Sequence, residues 1–167
     1  HLHGDHYFGL IGLLNSFGLL SHQQELHVFG PTPLKEIIEL QLKVADTKLC
    51  YDLHIHHITE AATLVDNEKL RVKCFRTNHR IECYGFSFEQ KKQPRKLNIE
   101  KAKEFEIPAN FYDRLKSGED YTKKDGSIIK NELATETAEP GKKYVFCADT
   151  KYDESLLPHI QDADLIY

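Results

Sequence analysis

A chain of 167 residues with 40% hydrophobic content holds enough apolar material for a single core and needs no second domain. Its formal net charge of −4, from 22 Lys and Arg against 26 Asp and Glu, argues against a protein that binds nucleic acid by bulk charge alone, so any basic surface must be local. No apolar run reaches the roughly 18 residues of a membrane-spanning helix and no signal-peptide pattern is present, which predicts a soluble cytoplasmic protein with no membrane partner.

The chain opens on His1-Leu2-His3-Gly4-Asp5-His6, with no initiator Met and no strand before it, and stops at Ala163-Asp164-Leu165-Ile166-Tyr167 as though a strand were beginning. Both ends read as cuts in a longer protein. From Tyr7 to Leu20 the sequence is apolar on nearly all sides and contains Gly9, Gly12 and Gly18, which predicts a buried helix packed closely on its neighbours. Leu26 to Phe29 reads as a short strand. Gly30-Pro31-Thr32-Pro33 then turns into a helix with Thr32 as N-cap and Pro33 at the first helical position, followed by Leu34, Ile37, Ile38, Leu42 and Ala45 at helical spacing.

Leu53 to Ile58 and Leu70 to Phe75 read as strands, and Tyr84, Phe86 and Phe88 alternate in another. Lys143 to Ala148 is an apolar strand ending at Asp149; Asp153 to Ile160 looks helical and Asp164 to Tyr167 extended. Strands separated by helices make a mixed α/β pattern. Cys50, Cys74, Cys83 and Cys147 form no C-x-x-C pair and sit in or near apolar runs, as buried reduced thiols would, the alternative being a disulfide framework.

Residues Lys91 to Lys143 differ in composition. They hold 13 Lys and Arg against 10 Asp and Glu, in a chain that is otherwise acidic. Pro94, Pro108 and Pro140 punctuate the segment, and Asp125-Gly126 between Tyr121-Thr122 and Ile128-Ile129 predicts a hairpin. It reads as an insertion projecting from the core, either an interaction surface or a solvated excursion without a partner.

His1, His3, Asp5 and His6 offer four compact metal ligands within six residues. His-x-His places two imidazoles on one side of an extended backbone, within reach of one metal. Asp5-His6 offers a carboxylate and an imidazole to a second metal, and Gly4 removes bulk where the chain must bend. Further ligands must come from elsewhere, and His79 and Asp149 both follow strands. The other histidines, His22, His27, His54, His56, His57 and His159, read as surface or strand residues.

The ordered set His1-x-His3-x-Asp5-His6, His79 and Asp149 resembles the motifs of the metallo-β-lactamase superfamily. Within it, His1 through Leu14, Val28-Phe29-Gly30-Pro31, His79 with Cys83-Tyr84-Gly85-Phe86, and Cys147-Ala148-Asp149-Thr150 are similar to ribonuclease Z. Ala148 stands where that family usually carries Gly, a small departure, since Ala also lets the backbone pass closely. Ile107-Pro108, Lys116-Ser117-Gly118-Glu119 and Asp125-Gly126 resemble the family's bacterial arm.

The resemblance implies an α/β metallo-β-lactamase fold, a four-layer αββα sandwich present as an incomplete portion: a partial core at 1–90, a protruding tRNA-binding arm at 91–143, and a truncated continuation of the core at 144–167. It implies a zinc-dependent endoribonuclease, a homodimer, that cleaves precursor tRNA at its 3′ end to leave a 3′-hydroxyl on the tRNA and a 5′-phosphate on the trailer. Two zinc ions are implied, with manganese or iron as substitutes. His1, His3 and His79 would hold one, Asp5 and His6 the other, and Asp149 would bridge them, while Asp5 also orients or deprotonates the attacking water. Lys96, Lys101, Arg114, Lys123 and Lys124 would grip tRNA. A last metal-binding His and a His-Glu-Ala-Thr motif are expected beyond Tyr167. The competing readings are another hydrolase of the same fold, a phosphodiesterase or thioesterase, and a non-catalytic tRNA-binding half.

Overall fold

The computed structural model describes residues 1–91, 93–138 and 140–167; Lys92 and Glu139, which enter the charge count above, lie outside them. In chain order the first elements are α1 (Gly4–Leu19), β1 (Leu26–Gly30), α2 (Leu34–Val44), β2 (Leu53–His57), β3 (Ala62–Asp66), β4 (Leu70–Arg76) and β5 (Tyr84–Gln90). They are followed by β6 (Lys96–Leu97), α3 (Ile99–Glu104), α4 (Tyr112–Ser117), β7 (Tyr121–Thr122), β8 (Ile128–Ile129), α5 (Asn131–Ala134) and β9 (Thr135–Glu136). β10 (Lys143–Phe146), α6 (Leu157–Ile160) and β11 (Leu165–Ile166) complete the chain. It divides into two compact units, one formed by His1–Asp66, Arg71–Phe88 and Lys143–Tyr167, the other by Asn67–Leu70 and Glu89–Lys142.

In the first unit, β1 and β2 pair in parallel with Leu26 opposite Leu53 and Gly30 opposite His57, as a strand–helix–strand crossover requires. Alternation along the strands then sorts the side chains. Leu26, Val28, Leu53 and Ile55 pack with Leu14 of α1 and with Leu34 and Ile38 of α2. Phe29, on the opposite face, joins Ile58 against Cys74, Tyr84 and Phe86 of a five-stranded sheet ordered β11-β10-β5-β4-β3. That sheet's far face carries Phe75 and Val145, which Leu156 and Ile160 cover. Helices, small sheet, large sheet and helix thus follow one another, giving the expected αββα order. Gly85 makes the large sheet close: a Cβ there would sit 2.5 Å from the Phe75 ring and 2.9 Å from the Phe146 carbonyl oxygen.

Several expectations fail locally. α1 begins at Gly4, inside the histidine motif, with His3 as N-cap. It is not a buried helix: only Leu14 is buried, whereas Phe8 is 66% and Leu19 87% exposed. A Cβ at Gly9, Gly12 or Gly18 would meet nothing within 4 Å, so these glycines serve no close packing. The N-cap of α2 is Pro33 rather than Thr32, because a turn closed by Leu34 N–H on the Pro31 carbonyl at 3.0 Å already uses Thr32. Cys74 and Cys83 are buried and all four thiols are free, but Cys50 is exposed, its sulfur donating to the carbonyls of His22 and Gly18 at 3.4 and 3.5 Å. His22 is no plain surface residue, since its Nε2 is buried with no partner among the described residues. Among the described residues no helix is long and apolar enough to cross a membrane.

The second unit has its own core, in which Ala102, Ile107, Leu115, Ile129 and Ala134 are buried beneath Phe105, Phe111 and Tyr121. Buried Asn131 ties it together. Its side chain donates to the carbonyls of Leu115 and Glu119, and its Oδ1 and backbone carbonyl accept from Thr135 Oγ1 at 3.0 and 2.9 Å. The predicted hairpin is present as β7 and β8, with Gly126 at φ +87° in its turn. Helices α3, α4 and α5 were not foreseen.

Candidate metal centre

The residues before α1 are extended, with His3 at φ −74° and ψ 140°, so the His-x-His pair lies on one side of the backbone as the spacing requires. Nε2 of His1 is 3.1 Å from Nδ1 of His3. The loop after β4 brings Nε2 of His79 to 3.3 Å from that same Nδ1. The loop after β10 places Oδ2 of Asp149 at 3.7 Å from His1 Nε2 and 4.0 Å from His79 Nε2. One donor atom from each of the four residues lies within 4.8 Å of the others. Metal–ligand distances of about 2.0–2.1 Å in a tetrahedral site imply ligand–ligand edges of about 3.3–3.4 Å. The separations of His1 Nε2 and His79 Nε2 from His3 Nδ1 are close to those edges, and the carboxylate lies about 0.3–0.7 Å outside them. The donor set, three imidazoles and one carboxylate, suits a divalent transition metal.

Asp149 divides its two oxygens. Oδ2 faces His1 and His79, whereas Oδ1 lies 3.6 Å from Nε2 of His6, which is also 3.6 Å from Oδ2 of Asp5. Because α1 starts at Gly4, Asp5 and His6 occupy its first turn rather than a loop, and successive side chains there rotate by about 100°. That rotation explains why Asp5, 79% exposed, contacts His6 and lies outside the four-residue group. Four of the six anticipated ligands therefore converge, His6 adjoins them through Asp149, and Asp5 sits at the rim.

Residues that sequence reasoning did not assign a role hold the centre together. The His1 side chain is fully buried, with Cys83 Sγ 3.5 Å from its Nδ1, which leaves Nε2 aimed at the other ligands. Thr77 Oγ1 donates to the Asp149 carbonyl at 2.8 Å, and Asn78 N–H donates to Thr150 Oγ1 at 3.2 Å. Lys151 N–H donates back to the Asn78 carbonyl at 2.8 Å. The two ligand loops are thereby stitched to each other, an arrangement whose sequence signal was no more than short polar side chains at strand ends. Beside the centre, Tyr84 donates to Glu82 Oε1 at 2.7 Å; burial first, and then this acceptor, pushes its phenol up to about 12.

Ala148 has φ +55°, in the left-handed region. The Gly expected there thus answers to backbone conformation, not to close passage of the chain. Ala148→Gly is expected to stabilise the protein by about 0.5–1 kcal/mol, the relief of left-handed backbone less glycine's extra unfolded-state entropy. Thermal denaturation reads this, and an unchanged or lower midpoint contradicts it.

Of the basic residues anticipated to grip tRNA, Lys96, Lys101 and Lys124 are exposed and make no ion pair among the described residues. Arg114 is different: its Nη2 and Nε lie 2.6 and 2.8 Å from Glu119 Oε2, and its guanidinium lies over the Phe111 ring at 4.5 Å. Lys123 lies 3.8 Å from Glu106.

No family model matches the chain. It is 37% identical to a ribonuclease Z from Synechocystis sp. over 99% of this chain and 51% of that protein. It is 34% identical to a ribonuclease Z from Bacteroides thetaiotaomicron over 100% of this chain and 54% of that protein. The crystal structure of human tRNase Z, short form, shares the fold at a TM-score of 0.61 and 21% identity, over 99% of this chain and 54% of that one. At 34–37% identity along essentially its whole length the chain is similar to a stretch of ribonuclease Z, with the layered metallo-β-lactamase fold, and it spans about half the length of the curated relatives it matches.

Proposed function

We propose that this sequence carries the metal-binding part of an endoribonuclease that cuts precursor tRNA at its 3′ end, leaving a 3′-hydroxyl on the tRNA and a 5′-phosphate on the trailer. The observation that carries the reading is the approach of His1 Nε2, His3 Nδ1, His79 Nε2 and Asp149 Oδ2 to tetrahedral spacing. His1, His3 and His79 would hold one divalent ion, zinc or in its place manganese or iron; Asp5 and His6 would serve a second, with Asp149 offering one oxygen to each. Bound divalent ions supply positive charge to phosphate oxygens and acidify water.

The chain's own side chains do the rest. Asp149 stays fixed through Thr77 while its two oxygens face different ligands. Asp5, exposed at the rim within 3.6 Å of His6, is placed to orient the attacking water and take its proton. The buried ring of His1 keeps solvent from the inner side. In the second unit, Lys96, Lys101 and Lys124 neutralise tRNA phosphates, which positions the substrate without reading bases. A homodimer and a cytoplasmic location belong to the same reading.

The test is cleavage of a precursor tRNA bearing a 3′ trailer by a protein of the relatives' full length that carries this sequence, with both new ends mapped, in the presence of zinc and after chelation; the 167 residues alone are expected to cleave far more slowly. A metal-dependent cut at the tRNA 3′ end with the predicted hydroxyl and phosphate is expected. Cleavage that survives chelation, or that leaves a phosphate on the tRNA, contradicts the reading.

A further inference from the structure

Arg80, the neighbour of His79, is exposed, and its Nη2 lies 2.9 Å from Nε2 of His3. That nitrogen is opposite Nδ1, the His3 atom that faces His1 and His79. Among the described residues Arg80 makes no ion pair with a carboxylate. It is therefore a guanidinium at the mouth of the centre, held only by a ring nitrogen of a proposed ligand.

A guanidinium is a donor without acceptor capacity, so the contact needs a lone pair on His3 Nε2. A neutral imidazole that ligates through Nδ1 keeps its proton on Nε2 and has no lone pair to offer there. The two uses of His3 exclude each other: ligation through Nδ1 turns the Arg80 contact into donor facing donor. Most histidine ligands direct the second N–H to a carboxylate, carbonyl or water, and an arginine in that place cannot act so.

We propose that Arg80 is a substrate-phosphate anchor released by metal binding. Ligation of His3 frees the guanidinium, whose planar fork then pairs with the non-bridging oxygens of the phosphodiester brought to the centre. The inference rests on the metal-centre reading above and deepens it by naming the residue that receives the anionic group. No covalent step is involved; one hydrogen bond is exchanged for a charge-assisted pair.

The experiment compares the wild type with Arg80→Ala and Arg80→Lys by two measurements that need no turnover. In zinc titrations against a chromophoric chelator, Arg80→Ala should bind the first ion about 2- to 10-fold more tightly, the worth of one competing hydrogen bond. On the zinc-loaded protein, inorganic phosphate should bind at least about tenfold more weakly to Arg80→Ala, and Arg80→Lys, which keeps the charge without the fork, should retain part of the affinity. Unchanged or weaker zinc binding by Arg80→Ala overturns release, unchanged phosphate affinity overturns anchoring, and either result overturns the proposal. Failure of the wild type itself to bind zinc would instead overturn the metal-centre reading.

Discussion

Replacing His79 with alanine should weaken binding of the first metal ion by more than about 100-fold, beyond the 10- to 100-fold that losing an outer partner of a ligand typically costs. His79 supplies one of the two imidazole nitrogens that lie 3.1 and 3.3 Å from His3 Nδ1, and no other described side chain stands in its place. Its loop is held by Thr77, Asn78 and Thr150 rather than by the ring, so the melting temperature without metal should change little. Asp149→Asn makes the complementary case: the shape and the Thr77 contact to the backbone survive, but the shared negative charge is gone. It should weaken both ions, and the second more, because His6 and Asp5 provide a thinner set of partners. Zinc titration and thermal melting of the same samples check both variants. A His79→Ala protein that binds zinc like the wild type would show that the ligands lie elsewhere.

Neutralising Lys96, Lys101 and Lys124 together should weaken tRNA binding about equally across tRNA sequences and flatten its salt dependence. Each phosphate contact contributes about 0.7–0.9 to the slope of log affinity against log salt, so losing three should lower the slope by roughly 2–3. Arg114 and Lys123 should matter less, because Glu119 and Glu106 already occupy them. Zinc affinity should be untouched. Filter binding over a range of salt concentrations gives the slope, and an unchanged slope would return this unit to a surface with no role in tRNA binding.

The candidate metal centre was legible as a cluster because it is written in residue types that have few other reasons to stand at that spacing: two imidazoles two apart on an extended backbone, then a carboxylate and an imidazole. The strand ends before His79 and Asp149 were legible from apolar runs. What stayed hidden was decided by tertiary contacts. Nothing in Gly4-Asp5-His6 announces that α1 begins there, yet that start decides where Asp5 and His6 point. Uniform apolarity made α1 look buried, since a sequence does not say how many sides of a helix are covered. β3 is a five-residue strand defined by pairing with β4 around a turn in which Asn67 Oδ1 accepts the backbone N–H groups of Lys69 and Leu70. α3, α4 and α5 span 6, 6 and 4 residues, too short for helical periodicity to register, and they exist because Leu115, Ala102 and Ala134 close a common core. The left-handed backbone at Ala148 could be suspected only from the glycine expected in its place.

The most direct test of the metal centre is X-ray absorption at the zinc edge of the protein loaded with one equivalent of zinc. The geometry predicts three imidazole nitrogens and one carboxylate oxygen at about 2.0–2.1 Å, with one imidazole lost in His79→Ala. A first shell with sulfur from Cys83, or with fewer than three imidazoles in the wild type, would contradict it.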